Sequence, residues 1–422
     1  MDFPNTNAAA DLEADVNDVI DEEAMREKME ERLQSFGFNL GKQRDEWIRD
    51  RYSYGVDKRW LEDEDQYNSK DNVNRAASQM MTSVEQGYPV TTQHAKPHRS
   101  TVYIGMTRQK TNAAEARVAD ILLPTDDRNW GIQPTPEPFL MGMAADDQVA
   151  TDPTTGQVIM GQNGQPARKK DVARAVMEMA RKKADAMQTE INDQLIECDY
   201  NSELRKVIHD AAVLGTGVIK GPVVMNRTRK AWQPRTDFQG NTIHEIVFVE
   251  ELNPASFRVD PRNCFPDPGC GENIHHGKGM YERQKLTAKQ VRELAKQPGY
   301  MKEQLRKVLE EGPKRSATMQ ELQEEQQRDI ARDTYEMWEY WGEVDHEDLE
   351  AAGVKVGEKD ELRAISACVV MINNTVVKAY LNPLDDGQMP YDFYVWEKVA
   401  SSCWGYGVPY LMRAQQKVLN AA

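Results

Sequence analysis

A long stretch of helical periodicity, residues 171–214, constrains the fold of this chain more than any other part of its sequence. Its apolar side chains recur every three to four residues, first as Val172, Val176, Met179, Met187, Ile191, Leu195 and Cys198, then as Leu204, Val207, Ile208, Ala211 and Leu214. This spacing places them along one face of a helix, and Asn201 with Ser202 is a suitable cap for a second helix. We expect this face to pack in the core, although a helix that lines an interface with a neighbouring copy would carry the same pattern.

Glycines follow this helical stretch directly, in the sequence GTGVIKG with Gly215, Gly217 and Gly221. Nucleotide-binding loops place their glycines after a strand and before a helix, so that the helix N-terminus faces the phosphate. Here the order is reversed, because a helix precedes the glycines and a strand follows them. Gly215 and Gly217 are therefore predicted to form a helix C-cap and a tight turn into a strand.

The rest of the chain alternates between helical and strand-like segments. The helical predictions are two helices that break near Gly55, one that begins at an Asn112 cap, and two beyond residue 286, the first capped by Thr287. The strand predictions are TVYIGM at 101–106, VIKGPVVMNR, EIVFVEELNPASFRVDP, DTYEMWEYWGEV and a hairpin that turns at Asn373 and Asn374. The predicted fold class is α+β, with long helices and mixed or antiparallel sheets.

Two segments have the composition of chain outside a packed core. Residues 1–22 are dominated by acids and predict a mobile acidic arm, with a specific docking arm as the alternative. Residues 142–170 carry turn-forming residues at short intervals and predict a flexible hairpin or loop.

Composition narrows the class of protein further. The formal net charge of -16 argues against general electrostatic attachment to nucleic acid, since that attachment depends on Lys and Arg facing phosphate.

No run approaches the roughly 18 apolar residues of a membrane span, so we predict no span. The cysteines are scattered and odd in number, which favours reduced thiols: Cys198, Cys264, Cys270, Cys368 and Cys403.

One segment, NCFPDPGCGENIHHGKG, contains residue types that bind metals. Cys264, Cys270, His275 and His276 lie within it, but zinc sites usually show paired ligands two to four residues apart, twice. This spacing differs, so we predict no metal site. The sequence also has no phosphate-binding G-x-x-x-x-G-K-[ST] loop, no G-x-S-x-G elbow and no carboxylate pair suited to acid–base work. We therefore expect a structural protein, with no enzymatic activity and no cofactor.

Aromatic residues crowd one predicted strand, YEMWEYWGEV. Tyr335, Trp338, Tyr340 and Trp341 place rings on both of its faces. Stacking on single-stranded bases would require a basic groove, and this neighbourhood is acidic. The strand is therefore predicted to lie in the core or at a subunit interface.

Three motifs follow one another along the second half of the chain. A helix runs into Gly215 and Gly217; an N-P-x-x-F-x-x-D-P stretch follows at Asn253, Pro254, Phe257, Asp260 and Pro261; and a W-G-x-G-x-P elbow precedes a Gln-rich helix at Trp404, Gly405, Gly407, Pro409, Gln415 and Gln416. In this collinear order, over about residues 100–422, the chain resembles the portal (head-to-tail connector) protein of tailed bacteriophages, in its short-tailed-phage form.

The resemblance implies a subunit of a ring, usually of twelve copies, at a unique vertex of the virion capsid, assembled in the host cytoplasm. Double-stranded DNA would pass through the ring during packaging and ejection. The implied partners are the major capsid and scaffolding proteins, the packaging terminase and the tail or adaptor proteins. The alternatives are a tail or adaptor structural subunit and a nucleic-acid enzyme of packaging, which would need a nucleotide loop or a metal–carboxylate cluster.

The resemblance also suggests a division of the chain after the acidic arm. Residues 23–270 would form a helical and mixed wing-like region, and residues 271–390 helices and a hairpin of a stem- or clip-like region. Residues 391–422 would form a strand, the Trp-Gly elbow as a hinge, and the start of a long helix. Since the family's chain continues beyond this elbow, we expect the sequence to be incomplete.

Overall fold

The computed structural model of the chain describes residues 7–69, 104–124, 130–135, 137–151, 158, 166–236, 242–314, 334–357, 364–384 and 387–421. Its helices are α1 (Asn7–Ser53), α2 (Val56–Tyr67), α3 (Met106–Leu122), α4 (Pro138–Ala145), α5 (Lys169–Glu197), α6 (Tyr200–Leu214), α7 (Ala288–Leu294), α8 (Lys302–Glu311), α9 (His346–Ala351), α10 (Val408–Leu411) and α11 (Arg413–Ala421).

The strands form antiparallel sheets. They are β1 (Thr216–Thr236), β2 (Thr242–Val259), β3 (Cys264–Pro266), β4 (Gly279–Leu286), β5 (Tyr335–Val344), β6 (Ile365–Ile372), β7 (Thr375–Leu381), β8 (Tyr391–Val395), β9 (Glu397–Val399) and β10 (Ser402–Tyr406). The sheet orders are β2-β1-β8, β10-β9 and β3-β4-β5-β6-β7. The predicted α+β class is confirmed.

The chain divides into two compact units. Unit 1 comprises Met1–Glu115, Lys206–Lys220 and Arg258–Ala422, and unit 2 comprises Ala116–Arg205 and Gly221–Phe257. Both units are discontinuous in sequence, so this division differs from the predicted consecutive regions 23–270, 271–390 and 391–422.

Several local predictions are confirmed because their signals act within a few residues. Gly55 separates α1 from α2 with a left-handed φ of 72°, and Thr287 caps α7 in a capping box with Gln290. The β6–β7 hairpin turns at Asn373 and Asn374, whose φ angles are 53° and 65°, as a type I′ turn requires.

Other predictions placed boundaries wrongly. Helix α1 begins at Asn7, within the predicted mobile arm, and α3 begins at Met106 rather than Asn112. The predicted strand at 101–106 lies partly outside the described residues, and its described part, 104–106, leads into α3. Isolated bridges join Val149 to Arg168 and Thr151 to Val158 in the predicted 142–170 hairpin, but Gly142 lies within α4.

The core of unit 1 lies between α1 and the five-stranded sheet. Leu33, Phe36, Leu40, Trp47 and Ile48 of α1 pack in one buried cluster with Phe265, Tyr281, Trp338 and Tyr340 of the sheet. Strand β5 is buried on both faces, so the predicted core position of its aromatic residues is confirmed. Burying each such side chain stabilises the fold by about 1.5–3 kcal/mol.

Unit 2 has a different balance of buried and exposed apolar residues. Among its described residues the buried hydrophobic side chains are Ala119, Leu123, Ala150, Ala173 and Ala184. Its exposed large hydrophobic side chains include Met141, Met179, Met187, Trp232, Phe248 and Leu252. The predicted core packing of the apolar face is wrong for Val176, Met179 and Met187 of α5, whereas Val207, Ile208 and Leu214 of α6 are buried as predicted.

Candidate functional site

The structure brings two of the sequence motifs into contact in unit 1. Gly215 ends α6 with a φ of 94°, and its position leaves no room for a side chain, since a Cβ there would lie 2.4 Å from the Gly405 carbonyl oxygen and 2.7 Å from the Gly407 nitrogen. A Cβ on Gly407 would lie 2.5 Å from the Val213 carbonyl oxygen. We call Gly215, Gly405 and Gly407 the glycine junction.

Main-chain hydrogen bonds hold the glycine junction together. The Gly405 N–H donates to Thr216 Oγ1 at 2.9 Å, and the Trp396 N–H donates to the Gly215 carbonyl at 2.9 Å. The Arg59 guanidinium donates to the Gly405 carbonyl at 3.0 Å. Gly407 has an ordinary φ of -87°, so the junction uses glycine for close approach of backbones, and the elbow as a hinge stays a prediction.

Gly217 is required by a second close approach, of β1 to α6. A Cβ at Gly217 would lie 2.1 Å from the Val207 carbonyl oxygen. The predicted C-cap at Gly215 is confirmed, and the order of helix, glycine and strand also stands as predicted, but Gly217 lies within β1 rather than in a turn.

Tryptophan residues cover the junction. Trp404 packs edge-on against Trp60, with ring centroids 5.1 Å apart, and the Trp60 indole N–H donates to the Leu214 carbonyl at 2.9 Å. This bond satisfies a carbonyl in the last turn of α6 that has no partner within the helix. Pro409 lies in the first turn of α10 and is buried, as expected for a proline at a helix start.

The two glutamines of the elbow motif have different environments. Gln416 is 4% exposed, and its Oε1 accepts from the Met106 and Thr107 N–H groups, each at 3.2 Å. Its side-chain amide donates to the Ile104 carbonyl. Gln416 therefore caps the N-terminus of α3 from a distant part of the chain, whereas Gln415 is exposed.

The N-P-x-x-F-x-x-D-P stretch is divided between the two units. Asn253 and Pro254 belong to the part of β2 in unit 2, where the Asn253 amide donates to Glu197 at 3.3 Å. Asp260 and Pro261 lie in unit 1, where the Asp260 carboxylate accepts from the Arg262 N–H at 3.0 Å and begins a short turn. The predicted strand and turn are confirmed.

Arg51 is a central residue that sequence reasoning missed. Its buried guanidinium donates to both oxygens of Asp57, at 3.0 and 2.7 Å, and to the carbonyls of Pro261, Cys264 and Arg262, at 3.2, 2.6 and 3.1 Å. It also lies 3.9 Å from the centre of the Phe265 ring. Arg51 thus ties α1 to the turn that leads into β3, and no local pattern marks it among the other arginines of the chain.

A second buried cluster joins Lys220 to two carboxylates. The Lys220 ammonium lies 2.7 Å from Glu282 and 2.8 Å from Glu339, and the Tyr391 hydroxyl donates to Glu282 at 2.6 Å. Burial would lower the pKa of Lys220, but the two carboxylates raise it above its ordinary value. The charged ammonium therefore forms ion pairs with two carboxylates inside unit 1, an arrangement suited to holding β1 against β4 and β5.

Cys270 and Cys403 are neighbours beside a cavity of about 280 Å³ in unit 1 that Arg51 and Trp404 also line. All five cysteines are free thiols. The hydrogen bond between Cys270 and Cys403 lowers the pKa of Cys270 and raises that of Cys403. Within the described ranges no three His, Cys, Asp or Glu side chains come together as a metal site would require.

Comparisons with known proteins do not assign this chain to a family. No protein-family model matches the chain, and a comparison with curated proteins finds no relative. None of the helices in the described part of the chain is long and apolar enough to cross a membrane.

Proposed function

We propose that this chain is a structural subunit of a portal, a ring at one vertex of a bacteriophage capsid through which DNA is packaged and ejected. The proposal rests on two observations: the collinear order of the motifs and the exposed apolar side chains of unit 2. In this role it has no enzymatic activity, and the ring lies in the virion after assembly in the host cytoplasm.

The exposure of unit 2 is the observation that carries the proposal. A domain is stabilised mainly by burying large apolar side chains, but the buried hydrophobic side chains of unit 2 are four alanines and Leu123 among its described residues. Meanwhile Trp232 and Phe248 are 67% and 64% exposed, and Met179 and Met187 are more than half exposed. Met and aromatic residues are enriched in protein–protein interfaces, so this composition favours a subunit that buries these surfaces against other copies.

The charge of the chain supports a conduit for DNA. A wall rich in Lys and Arg would hold phosphates and resist sliding, because binding releases counterions for each phosphate contact. A chain with a net charge of -16 repels DNA on average, which suits a channel that DNA must move through. Such a ring would be the docking platform for capsid and scaffolding proteins, terminase, and tail or adaptor proteins.

The test is the oligomeric state of the purified 422-residue chain. At micromolar concentration, sedimentation velocity should show one large closed species, and negative-stain images should show rings with a central hole wide enough for a DNA duplex. A uniform monomer under these conditions would overturn the proposal.

Turnover assays separate the portal from an enzyme of packaging. The assembled ring should show no ATP hydrolysis and no DNA cleavage above a buffer control. Turnover that is abolished by a single carboxylate substitution whose urea unfolding curve matches that of the parent chain would instead favour the enzyme.

A further inference from the structure

The parts of β1 and β2 that belong to unit 2, residues 221–236 and 242–257, have open edges among the residues that the structure describes. We call these two segments the arm. Strand β8 pairs with β1 only at Thr216–Lys220, so beyond Lys220 each strand of the arm has, within the described residues, the other strand as its sheet partner. The open edge of a sheet presents unpaired N–H and C=O groups that can pair with another chain.

One face of the arm is apolar and exposed. Val224 and Trp232 on β1, and Ile246, Phe248 and Leu252 on β2, are between 47% and 72% exposed. These five have even numbers, whereas Met225, which is 47% exposed, has an odd one, and alternate residues of a strand share a face. Lys230 lies 5.8 Å from the centre of the Phe248 ring, which places the even-numbered residues of both strands on the same face.

The two strands of the arm carry opposite charges. Residues 221–236 contain Arg227, Arg229, Lys230 and Arg235 and no acidic residue, whereas residues 242–257 contain Glu245, Glu250 and Glu251 and no Lys or Arg. Two β1 edges brought together would oppose like charges, and so would two β2 edges. Only the pairing of a β1 edge with a β2 edge is electrostatically favourable.

We propose that the arm of each copy pairs edge to edge with the arm of the next copy, β1 of one against β2 of its neighbour. The inference rests on the proposed ring assembly and identifies one of its contacts. In this head-to-tail arrangement the paired strands are antiparallel, and the contact joins different surfaces of the two copies, as a closed ring requires. Because proline has no N–H, Pro222 and Pro234 limit the pairing on β1 to residues 223–233.

The contact also places the apolar faces of two neighbouring arms side by side. Cross-strand neighbours on one face of an antiparallel sheet pack side by side. Trp232 of one copy would lie beside the Ile246 and Phe248 positions of the next, so each arm covers part of the apolar surface that its own unit leaves exposed.

Two charge-reversed chains test the proposal. Arg229→Glu, Lys230→Glu and Arg235→Glu together change the net charge of β1 in the arm from +4 to −2, so that both strands are acidic. Glu245→Lys, Glu250→Lys and Glu251→Lys together change that of β2 from −3 to +3, so that both strands are basic. Each chain alone opposes like charges at every contact, so its yield of rings in sedimentation velocity should fall by about tenfold at low salt. An equal mixture of the two should recover rings, because the acidic arms can then alternate with the basic ones.

A matched control reverses the same number of charges on unit 1. Lys289→Glu, Arg292→Glu and Lys296→Glu, at exposed positions in or next to α7, should leave the ring yield unchanged. A loss of rings in both arm variants without recovery in the mixture, or full assembly of each variant alone, would overturn the arm contact.

Cross-linking of chains with native charges checks the same contact without disturbing it. Chains with Gln233→Cys and with His244→Cys are each mixed with parent chain, or with one another, and treated with a bismaleimide. Covalent dimers should exceed the parent background only when both variants are present. Cross-linking of either variant with itself would overturn the head-to-tail pairing. If the parent chain stays monomeric, the proposed ring is contradicted. If the parent chain forms rings but the two variants do not cross-link, only the arm contact is contradicted.

Discussion

Gly215 and Gly405 are in direct main-chain contact: a Cβ on Gly215 would lie 2.4 Å from the Gly405 carbonyl oxygen, and a Cβ on Gly405 would lie 2.6 Å from the Gly215 carbonyl oxygen. The obstructing atoms belong to the backbone, which cannot rotate away as a side chain can. The contact therefore holds the end of α6 and the Trp-Gly elbow at a separation that only glycine permits.

Replacing Gly215 with alanine should lower the free energy of unfolding by about 2–4 kcal/mol, from backbone strain at positive φ and from overpacking. Gly55→Ala is the matched control, since Gly55 also has a positive φ, 72°, but a Cβ there would have no atom within 4 Å. It should cost about 1 kcal/mol. Urea unfolding followed by tryptophan fluorescence measures both, and equal losses would show that the close contact contributes nothing.

Replacing Gln416 with leucine should destabilise the start of α3. The buried Thr107 N–H would lose its Gln416 acceptor, at a cost of about 1–3 kcal/mol for a buried donor left without a partner, and the Met106 N–H would keep only the Ile104 carbonyl. Hydrogen exchange of residues 104–110 should become faster by a factor of at least about 5. Gln415→Leu, at the neighbouring exposed position, is the control, and faster exchange in both variants would contradict the capping role.

Replacing Arg51 with methionine should destabilise unit 1 by about 3–5 kcal/mol, because the Asp57 carboxylate and three main-chain carbonyls would lose their donor. Arg168→Met removes an exposed ion pair with Asp147 and should cost no more than about 1 kcal/mol. Thermal or urea unfolding compares the two variants. A loss below that of Arg168→Met would refute the central role of Arg51.

Asp63 should make stability depend on pH. Burial raises the pKa of Asp63 from 3.8 to about 6, although Arg413 opposes the shift, and its Oδ2 has no hydrogen-bond partner among the described residues. A raised pKa means that the folded state takes up the proton more readily. The resulting stabilisation is complete below about pH 4 and is lost as pH rises through about 6, with a total of about 3 kcal/mol.

Asp63→Asn should remove this part of the pH dependence. Unfolding measured from pH 4 to pH 7 should show a smaller decline in stability for the variant than for the parent chain. Glu62→Gln, which also removes a carboxylate that contacts Arg413, is the control and should keep the parent slope. Parallel curves for the parent and Asp63→Asn would exclude Asp63 as the source.

Much of the local structure could be predicted from the sequence. The break at Gly55, the Thr287 cap, the Asn373–Asn374 turn and the turn at Gly215 depend on residues next to one another, so their signals are visible in a short window. Helix starts were less predictable: α3 begins at Met106 because Gln416 caps it, and Gln416 lies in a part of the chain that no local window includes.

The environment of the apolar faces could not be predicted either. The same three-to-four spacing predicts burial for Val207 and Ile208 of α6 and for Met179 and Met187 of α5, but only the first pair is buried. Periodicity shows that a helix has an apolar face, whereas the arrangement of distant segments determines whether this chain covers it. Likewise Gln415 and Gln416 look equivalent in sequence, and a difference of one position on α11 buries only Gln416.

The sequence by itself therefore determined the α+β class, most element types, the caps and turns, and an acidic composition, since these depend on local propensity and total charge. Only the tertiary structure decided that Gly215, Gly405 and Gly407 meet, that Arg51 joins α1 to the turn before β3, and that unit 2 leaves its apolar faces exposed. These features arise from contacts between residues far apart in the chain, whose energies depend on distance and burial in the folded protein.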